Sequence, residues 1–306
     1  MGLGPDKGSA AALSVASNAA LIVAKLVAGT ITGSVAILTE AVHSSIDLLA
    51  SLVAFISVRK AGEPADAEHL YGHDKMENLA AATEGALILL GAGIITYEAI
   101  KRLVHSAHVH TIGAGIAVIG VSAAVNLVVS RIVADRARAT RSVALEGDAM
   151  HLSADALSSV AVLVGLVLIA ITHAYWLDPV VALLVAAGIV IAGVRLLRRA
   201  SGALVDEALP EADLETVRTT IREIGGPRGV IGFHKLRSRS AGSRRYIDVH
   251  VQFANGTTLE SAHQAAHALT DEIGRRLDGT DVLVHLEPSD RVQPGTEVRV
   301  QPGTEV

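Results

Sequence analysis

The chain has 306 residues, half of them hydrophobic and 19% charged, with a formal net charge of −5 and 13 histidines; an ordinary soluble domain carries roughly 25% charge. Zero cysteines exclude a disulfide scaffold, thiol catalysis, iron–sulfur clusters and Cys-based zinc sites. An acidic balance with no basic block excludes nucleic-acid binding. The charge is uneven: residues 1–200 hold 14 Lys/Arg and 15 Asp/Glu, whereas residues 201–306 hold 12 and 16 in half the length. A charge-poor membrane part therefore precedes a charge-rich soluble part, and any metal site must use His and carboxylate.

After a short N-terminal segment at 1–9, six apolar segments are expected to span a bilayer: 10–32, 35–58, 79–104, 111–134, 143–172 and 178–197. Each is long enough, at about 1.5 Å rise per residue, to cross a hydrocarbon core of ~30 Å. The pair Asp178-Pro179 predicts the start of the sixth, an N-cap followed by proline at the first helical position. Arg59, Lys60, Lys75, Arg131, Arg136, Arg138, Arg141, Arg195, Arg198 and Arg199 fall on one side of these segments. Only Lys101 and Arg102 fall on the other. The positive-inside rule then places both termini in the cytoplasm, and the expected location is the cell (inner) membrane. No cleavable signal peptide is expected, because the first apolar run extends far past a signal-peptide core.

The membrane domain is thus 10–200 and a linker follows at 201–209. Pro210 to Ile224 predicts a helix with an acidic first turn. Val230 to Leu236 and Tyr246 to Phe253 predict strands, with 238–245 as the hairpin between them. Leu259 to Leu277 predicts a second helix and Asp281 to Leu286 a third strand, an α-β-β-α-β domain over 210–290. The tail at 291–306 repeats RVQPGTEV in tandem, has no core-forming pattern and is expected to be disordered.

Two stretches, 40–49 and 148–157, share one pattern: acid-Ala-apolar-His-x-Ser-apolar-Asp-x-Leu. His43 and Asp47 are four apart, as are His151 and Asp155, so each pair shares a helix face. An acidic residue at the bilayer centre costs roughly 2.5–3.5 kcal/mol on insertion scales. If the second and fifth spans pack together, the four side chains form an N2O2 set suited to tetrahedral Zn2+, and the carboxylates neutralise the ion away from water. The alternative is a local hydrogen bond within each pair. Glu40 and Asp148, one turn earlier, are either groups behind the ligands or carboxylates solvated at the membrane interface.

Six spans, HxxxD on spans 2 and 5 and a terminal α-β-β-α-β domain together resemble the cation diffusion facilitator family, over roughly residues 8–289. The resemblance implies an α-helical membrane protein with six transmembrane helices and a cytoplasmic metallochaperone-like domain. It implies a homodimeric divalent-metal/proton antiporter in the lipid bilayer. Its transport site would be His43, Asp47, His151 and Asp155, a set resembling that of zinc-preferring members. The basic, His-poor loop between spans 4 and 5 resembles bacterial relatives.

In the loop after span 2, Asp66, His69 and His73 have a spacing that suits one helical turn or a compact loop around a metal; a solvated polar loop is the alternative. The segment Tyr71 to Glu77 also resembles the family's loop signature, which implies a second zinc site there. Lys75 resembles a lysine that pairs with an acid after span 6, here Asp206, to interlock the dimer. In the soluble domain, strand alternation puts His285 and Glu287 on one face, and His234 and His250 lie on the other two strands. The resemblance implies that His234, His250, His263, His285 and Glu287 bind regulatory Zn2+. Glu287 stands where some bacterial relatives carry Asp.

The expectation is therefore export of Zn2+ from the cytoplasm in exchange for protons by alternating access, not enzyme catalysis. No HExxH occurs, and two HxxxD pairs leave no open metal position for hydrolytic water. Mn2+, Fe2+, Co2+ or Cd2+ as main cargo is the alternative, since ligand type alone does not rank these ions. A membrane-anchored metal sensor without transport is the remote one.

Overall fold

The structure is a computed structural model that describes residues 5–32, 35–105, 113–172, 174, 176–289 and 298–299. The chain divides into two compact units, Met1–Gly202 and Ala203–Val306.

The first unit holds six long helices: α1 Pro5–Thr32, α2 Val35–Ala61, α3 Lys75–His105, α4 Gly113–Thr140, α5 Val143–Thr172 and α6 Leu177–Leu204. Among the described residues, four are long and apolar enough to cross a membrane: Lys7–Ile31, Lys75–Val104, Ala117–Thr140 and Leu177–Leu204. The other two, α2 and α5, are 27 and 30 residues long and bear the acidic motif residues. The helices pack largely through small side chains. Ala10, Ala11, Val58, Ala80, Val133, Ala137, Ala144 and Leu152 form one buried cluster; Ala81, Ile88, Ala92, Ile189 and Ala200 form another. Small residues let helix backbones approach closely where lipid gives no hydrophobic drive between helices.

The start of α5 is fixed by side chains. Glu77 Oε2 accepts the Val143 N–H at 3.1 Å and Ser142 Oγ accepts the Leu145 N–H at 3.4 Å, capping α5. The other Glu77 oxygen accepts from Lys7 Nζ at 2.9 Å, so one buried carboxylate joins α1, α3 and α5. At α6 the expected N-cap differs. The helix begins at Leu177, and Asp178 instead accepts from Arg102 Nη1 at 3.1 Å, because a cation on α3 is a stronger donor than an end amide.

The second unit has α7 Glu211–Thr220, a π-turn at Ile221–Gly225, a 3-10 turn at Gly226–Arg228, β1 Val230–Ala241, β2 Arg244–Phe253, α8 Leu259–Arg276 and β3 Thr280–Pro288. A two-residue strand, β4 Val298–Arg299, pairs with Gly232 and Phe233. The rest of the repeated tail lies outside the described residues. Sheet order is β3-β2-β1-β4, with β1 and β2 antiparallel and β2 and β3 parallel. The predicted hairpin at 238–245 is mostly strand: pairing runs to Ala241↔Arg244 and only Gly242 and Ser243 turn. Those polar residues lie beyond the apolar core, so alternation gives no signal there. Val217, Ile221, Phe233, Val249, Val251, Ala265, Leu269 and Ile273 join α7 and α8 to one sheet face. Thr258 caps the start of α8, its hydroxyl accepting the Ser261 N–H at 3.2 Å.

Candidate metal sites

Among the described residues, three groups of side chains offer ligand atoms that all lie within 4.8 Å of one another: Asp47, His151 and Asp155; Asp66, His69 and His73; and His234, His250 and Glu287.

The first group joins α2 to α5. Nε2 of His151 stands 3.5 Å from Asp47 Oδ1 and 3.7 Å from Asp155 Oδ2. The His–Asp contact thus runs between helices as well as along α5, which a purely local hydrogen bond would not do. His43 lies on α2 one turn before Asp47, but its side chain is outside the described residues. A cavity of about 190 Å³ opens onto Asp47, His151, Asp155 and Ser158, walled by apolar residues of α3 and Ile189 of α6. The set offers an imidazole nitrogen and carboxylate oxygens, a donor combination that suits Zn2+ and other borderline divalent ions.

Sequence reasoning missed a fourth ionisable group here. Glu84 of α3 is completely buried, and its Oε2 lies 3.6 Å from His151 Nδ1. The available signal was an acid within the apolar run Leu79–Tyr97 of the third span. Asp148 is also placed: it is fully buried, and its Oδ1 accepts from Ser14 Oγ and Ser51 Oγ, both at 2.9 Å. Interface solvation does not describe it. Asn18 Nδ2 donates to Ser51 Oγ at 2.8 Å, and Lys25 Nζ donates to Ser44 Oγ at 2.6 Å, so α1 supplies polar partners to α2 and α5. The Glu40 side chain lies outside the described residues.

The second group is a compact loop, not a helical turn. Asp66 Oδ1 accepts the amides of Glu68 and His69 at 2.9 and 2.6 Å. The chain then reverses through a turn closed by Gly72 N–H to His69 O at 2.9 Å, with Gly72 at φ 83°. That reversal brings His73 Nε2 to 3.3 Å from Asp66 Oδ2 and the two imidazole centroids to 4.4 Å. The His69 amide, with further help from that of Glu68 and against a desolvation penalty, holds the Asp66 carboxyl below its ordinary range. A carboxylate that stays charged is a ready metal ligand.

The third group is a row across the sheet. Register pairs His234 with His250 and His250 with His285, one histidine per strand, on the face opposite Phe233 and Val251. Glu287, two residues past His285, reaches back along the row: Oε2 lies 2.9 Å from His234 Nε2, Oε1 lies 2.5 Å from His250 Nδ1, and His285 Nε2 is 3.5 Å away. Desolvation raises the Glu287 carboxyl, but hydrogen bonds from His250 and His234 outweigh it and leave it below its ordinary value. His234 is buried and its Nδ1 has no hydrogen-bond partner among the described residues. His263 does not join this row. It sits on α8 against His267, ring centroids 4.4 Å apart, on the helix face turned away from the sheet, because Ala262, Ala265 and Leu269 take the inner face.

Lys75 opens α3, and Asp206, in the second unit, has φ 60° and lies 3.4 Å from Arg239. His105 ends α3 with its side chain undescribed; His108 and His110 lie outside the described residues.

Comparison with known proteins covers most of the chain. The family model for the cation efflux transmembrane domain matches residues 11–205, and that for the cation efflux protein cytoplasmic domain matches residues 209–289. The chain is 36% identical over 280 residues to an uncharacterised transporter of Synechocystis sp., sll1263, covering 91% of this chain and 89% of that one. It is 32% identical over 282 residues to the cation-efflux pump FieF of Klebsiella pneumoniae, covering 92% of each. It is 32% identical over 293 residues to metal tolerance protein C1 of Arabidopsis thaliana, covering 90% of this chain and 61% of that one.

Proposed function

Because the chain belongs to the cation efflux, or cation diffusion facilitator, family, we propose that it exports Zn2+ from the cytoplasm in exchange for protons through His43, Asp47, His151 and Asp155. Members of this family are multi-pass membrane cation transporters, not enzymes. The observation that carries the reading is the convergence of Asp47, His151 and Asp155 from two helices beside a cavity.

Metal ligands must be deprotonated, so protons and cargo compete for the same atoms. Imidazole and carboxylate each use the same lone pair for a proton or for a metal ion, so binding one displaces the other. Facing the cytoplasm, the site exchanges protons for Zn2+; facing outward, it exchanges Zn2+ for protons. Alternating access follows when the two orientations are separate conformations of the 10–200 membrane domain. Both termini lie in the cytoplasm, and the membrane is the cell's inner one.

The 210–290 domain binds Zn2+ through His234, His250, His285 and Glu287 and shifts the conformational balance by binding one arrangement of the homodimer more tightly. His263 offers a further ligand on the outer face of that domain. Asp66, His69 and His73 hold a loop ion, and Lys75 with Asp206 interlocks the protomers.

The test is metal-resolved uptake into proteoliposomes with an acidic lumen, comparing Zn2+, Cd2+, Mn2+, Fe2+ and Co2+. The proposal expects Zn2+ to be taken up with the highest apparent affinity and each Zn2+ entering to release lumenal protons. Uptake led by Mn2+ or Fe2+, or with no proton movement, overturns it.

A further inference from the structure

Glu84 belongs to neither HxxxD pair and to no proposed ligand set. Its side chain is completely buried on α3, and neither carboxylate oxygen has a hydrogen-bond partner among the described residues. Burying an ionisable group without a hydrogen-bond partner is costly, so its position needs a cause. Its Oε2 faces Nδ1 of His151 at 3.6 Å, whereas Asp47 and Asp155 approach the other ring nitrogen, Nε2, at 3.5 and 3.7 Å. The imidazole is therefore held between carboxylates on both edges. Those on the Nε2 side form the group of converging ligand atoms; Glu84 stands behind the ring.

A second observation explains how α3 gets close enough. Gly147 lies one turn before His151 on α5, and a Cβ there would stand 3.1 Å from Glu84 Cβ and 3.2 Å from its Cγ. The neighbouring α3 backbone at Ala81 would be 3.4 Å away. A methyl group at this level of α5 would crowd Glu84, which would have to give by a few tenths of an ångström.

We propose that Glu84 is a positioning residue for transport: it receives the Nδ1–H of His151, fixing the tautomer and ring angle that point the Nε2 lone pair at the cargo. The inference rests on His151 being a ligand of the transport site. A neutral imidazole has one N–H and one lone pair, so a carboxylate that claims the proton on Nδ1 frees Nε2 for metal. Closing 3.6 Å to hydrogen-bond length takes a shift of about half an ångström. Loss of such a partner behind a ligating histidine typically lowers metal affinity by about 10–100-fold.

The experiment is zinc uptake by the full-length protein in proteoliposomes, with apparent KM and maximal rate measured separately. Glu84→Ala is expected to raise the KM by about 10–100-fold with a much smaller change in maximal rate. Glu84→Gln, whose amide oxygen still accepts from Nδ1, is expected to stay near the wild type. Gly147→Ala, which forces Glu84 back, should give an intermediate KM even if Glu84→Ala fails to fold. An unchanged KM in Glu84→Ala and Gly147→Ala, or a Glu84→Gln variant as impaired as Glu84→Ala, overturns the proposal. His151→Ala separates the two readings. If it transports normally, the ligand assignment falls; if it is inactive while Glu84→Ala matches the wild type, only the positioning role falls.

Discussion

Nε2 of His234 and Oε2 of Glu287 are 2.9 Å apart although β2 runs between their strands. Glu287 spans that gap with one long side chain and touches His250 on the way, at 2.5 Å. The arm length is therefore part of the site. Glu287→Asp is expected to lose one of the two contacts and to weaken zinc binding by at least tenfold, on the order of the loss seen for an unsupported ligand. Calorimetric titration of the full-length protein should show one weakened class of site, with the other classes unchanged.

The same carboxylate predicts a pH dependence. Glu287 titrates below its ordinary value in the folded domain. A depressed carboxyl pKa stabilises the fold above the unfolded value, about 4.3, and the contribution is lost as pH falls below it. In metal-free protein, hydrogen-exchange protection of β1, β2 and β3, corrected for intrinsic rate, should fall more steeply below about pH 4.5 in the wild type than in Glu287→Gln. Equal slopes would remove Glu287 from the account.

In the loop, Asp66 has two separable tasks, to hold the turn and to carry charge. Asp66→Asn retains an oxygen for the amides of Glu68 and His69 but loses the charge beside His69 and His73. One bound metal per chain is expected to disappear by elemental analysis while the loop keeps its resistance to proteolysis. Gly72→Ala attacks the other task. With φ at 83° a side chain costs about 1–2 kcal/mol, so loop metal should again be lost, now together with increased proteolysis.

How much of this was legible beforehand depends on whether a residue's partner is encoded by spacing. His151 and Asp155 are four apart on one helix, and Val249 to Phe253 alternates, so periodicity exposed both the HxxxD pair and the sheet. Glu84 and Asp148 are single acids whose partners come from other helices: His151 from α5 for one, Ser14 and Ser51 from α1 and α2 for the other. No one-dimensional period encodes those contacts. His263 shows a different limit of periodicity. Its i, i+4 partner His267 was visible, but which face of α8 meets the sheet is decided by Ala262, Ala265 and Leu269.

Asp148 holds two buried hydroxyls from two other helices. Asp148→Ala leaves Ser14 and Ser51 without that acceptor and is expected to cost about 1–3 kcal/mol. The thermal unfolding midpoint in detergent should fall, while the apparent KM for zinc stays near the wild type. A changed KM with unchanged stability would instead place Asp148 in the transport site.

In the proposed cycle Asp47, His151 and Asp155 carry the cargo while protons compete for them. The most direct measurement is pH-gradient-driven zinc uptake by Asp155→Ala beside the wild type, in proteoliposomes with an acidic lumen. The account predicts gradient-stimulated uptake in the wild type, abolished by a protonophore, and none above empty vesicles in Asp155→Ala. Normal uptake by Asp155→Ala, or wild-type uptake indifferent to the gradient, would contradict it.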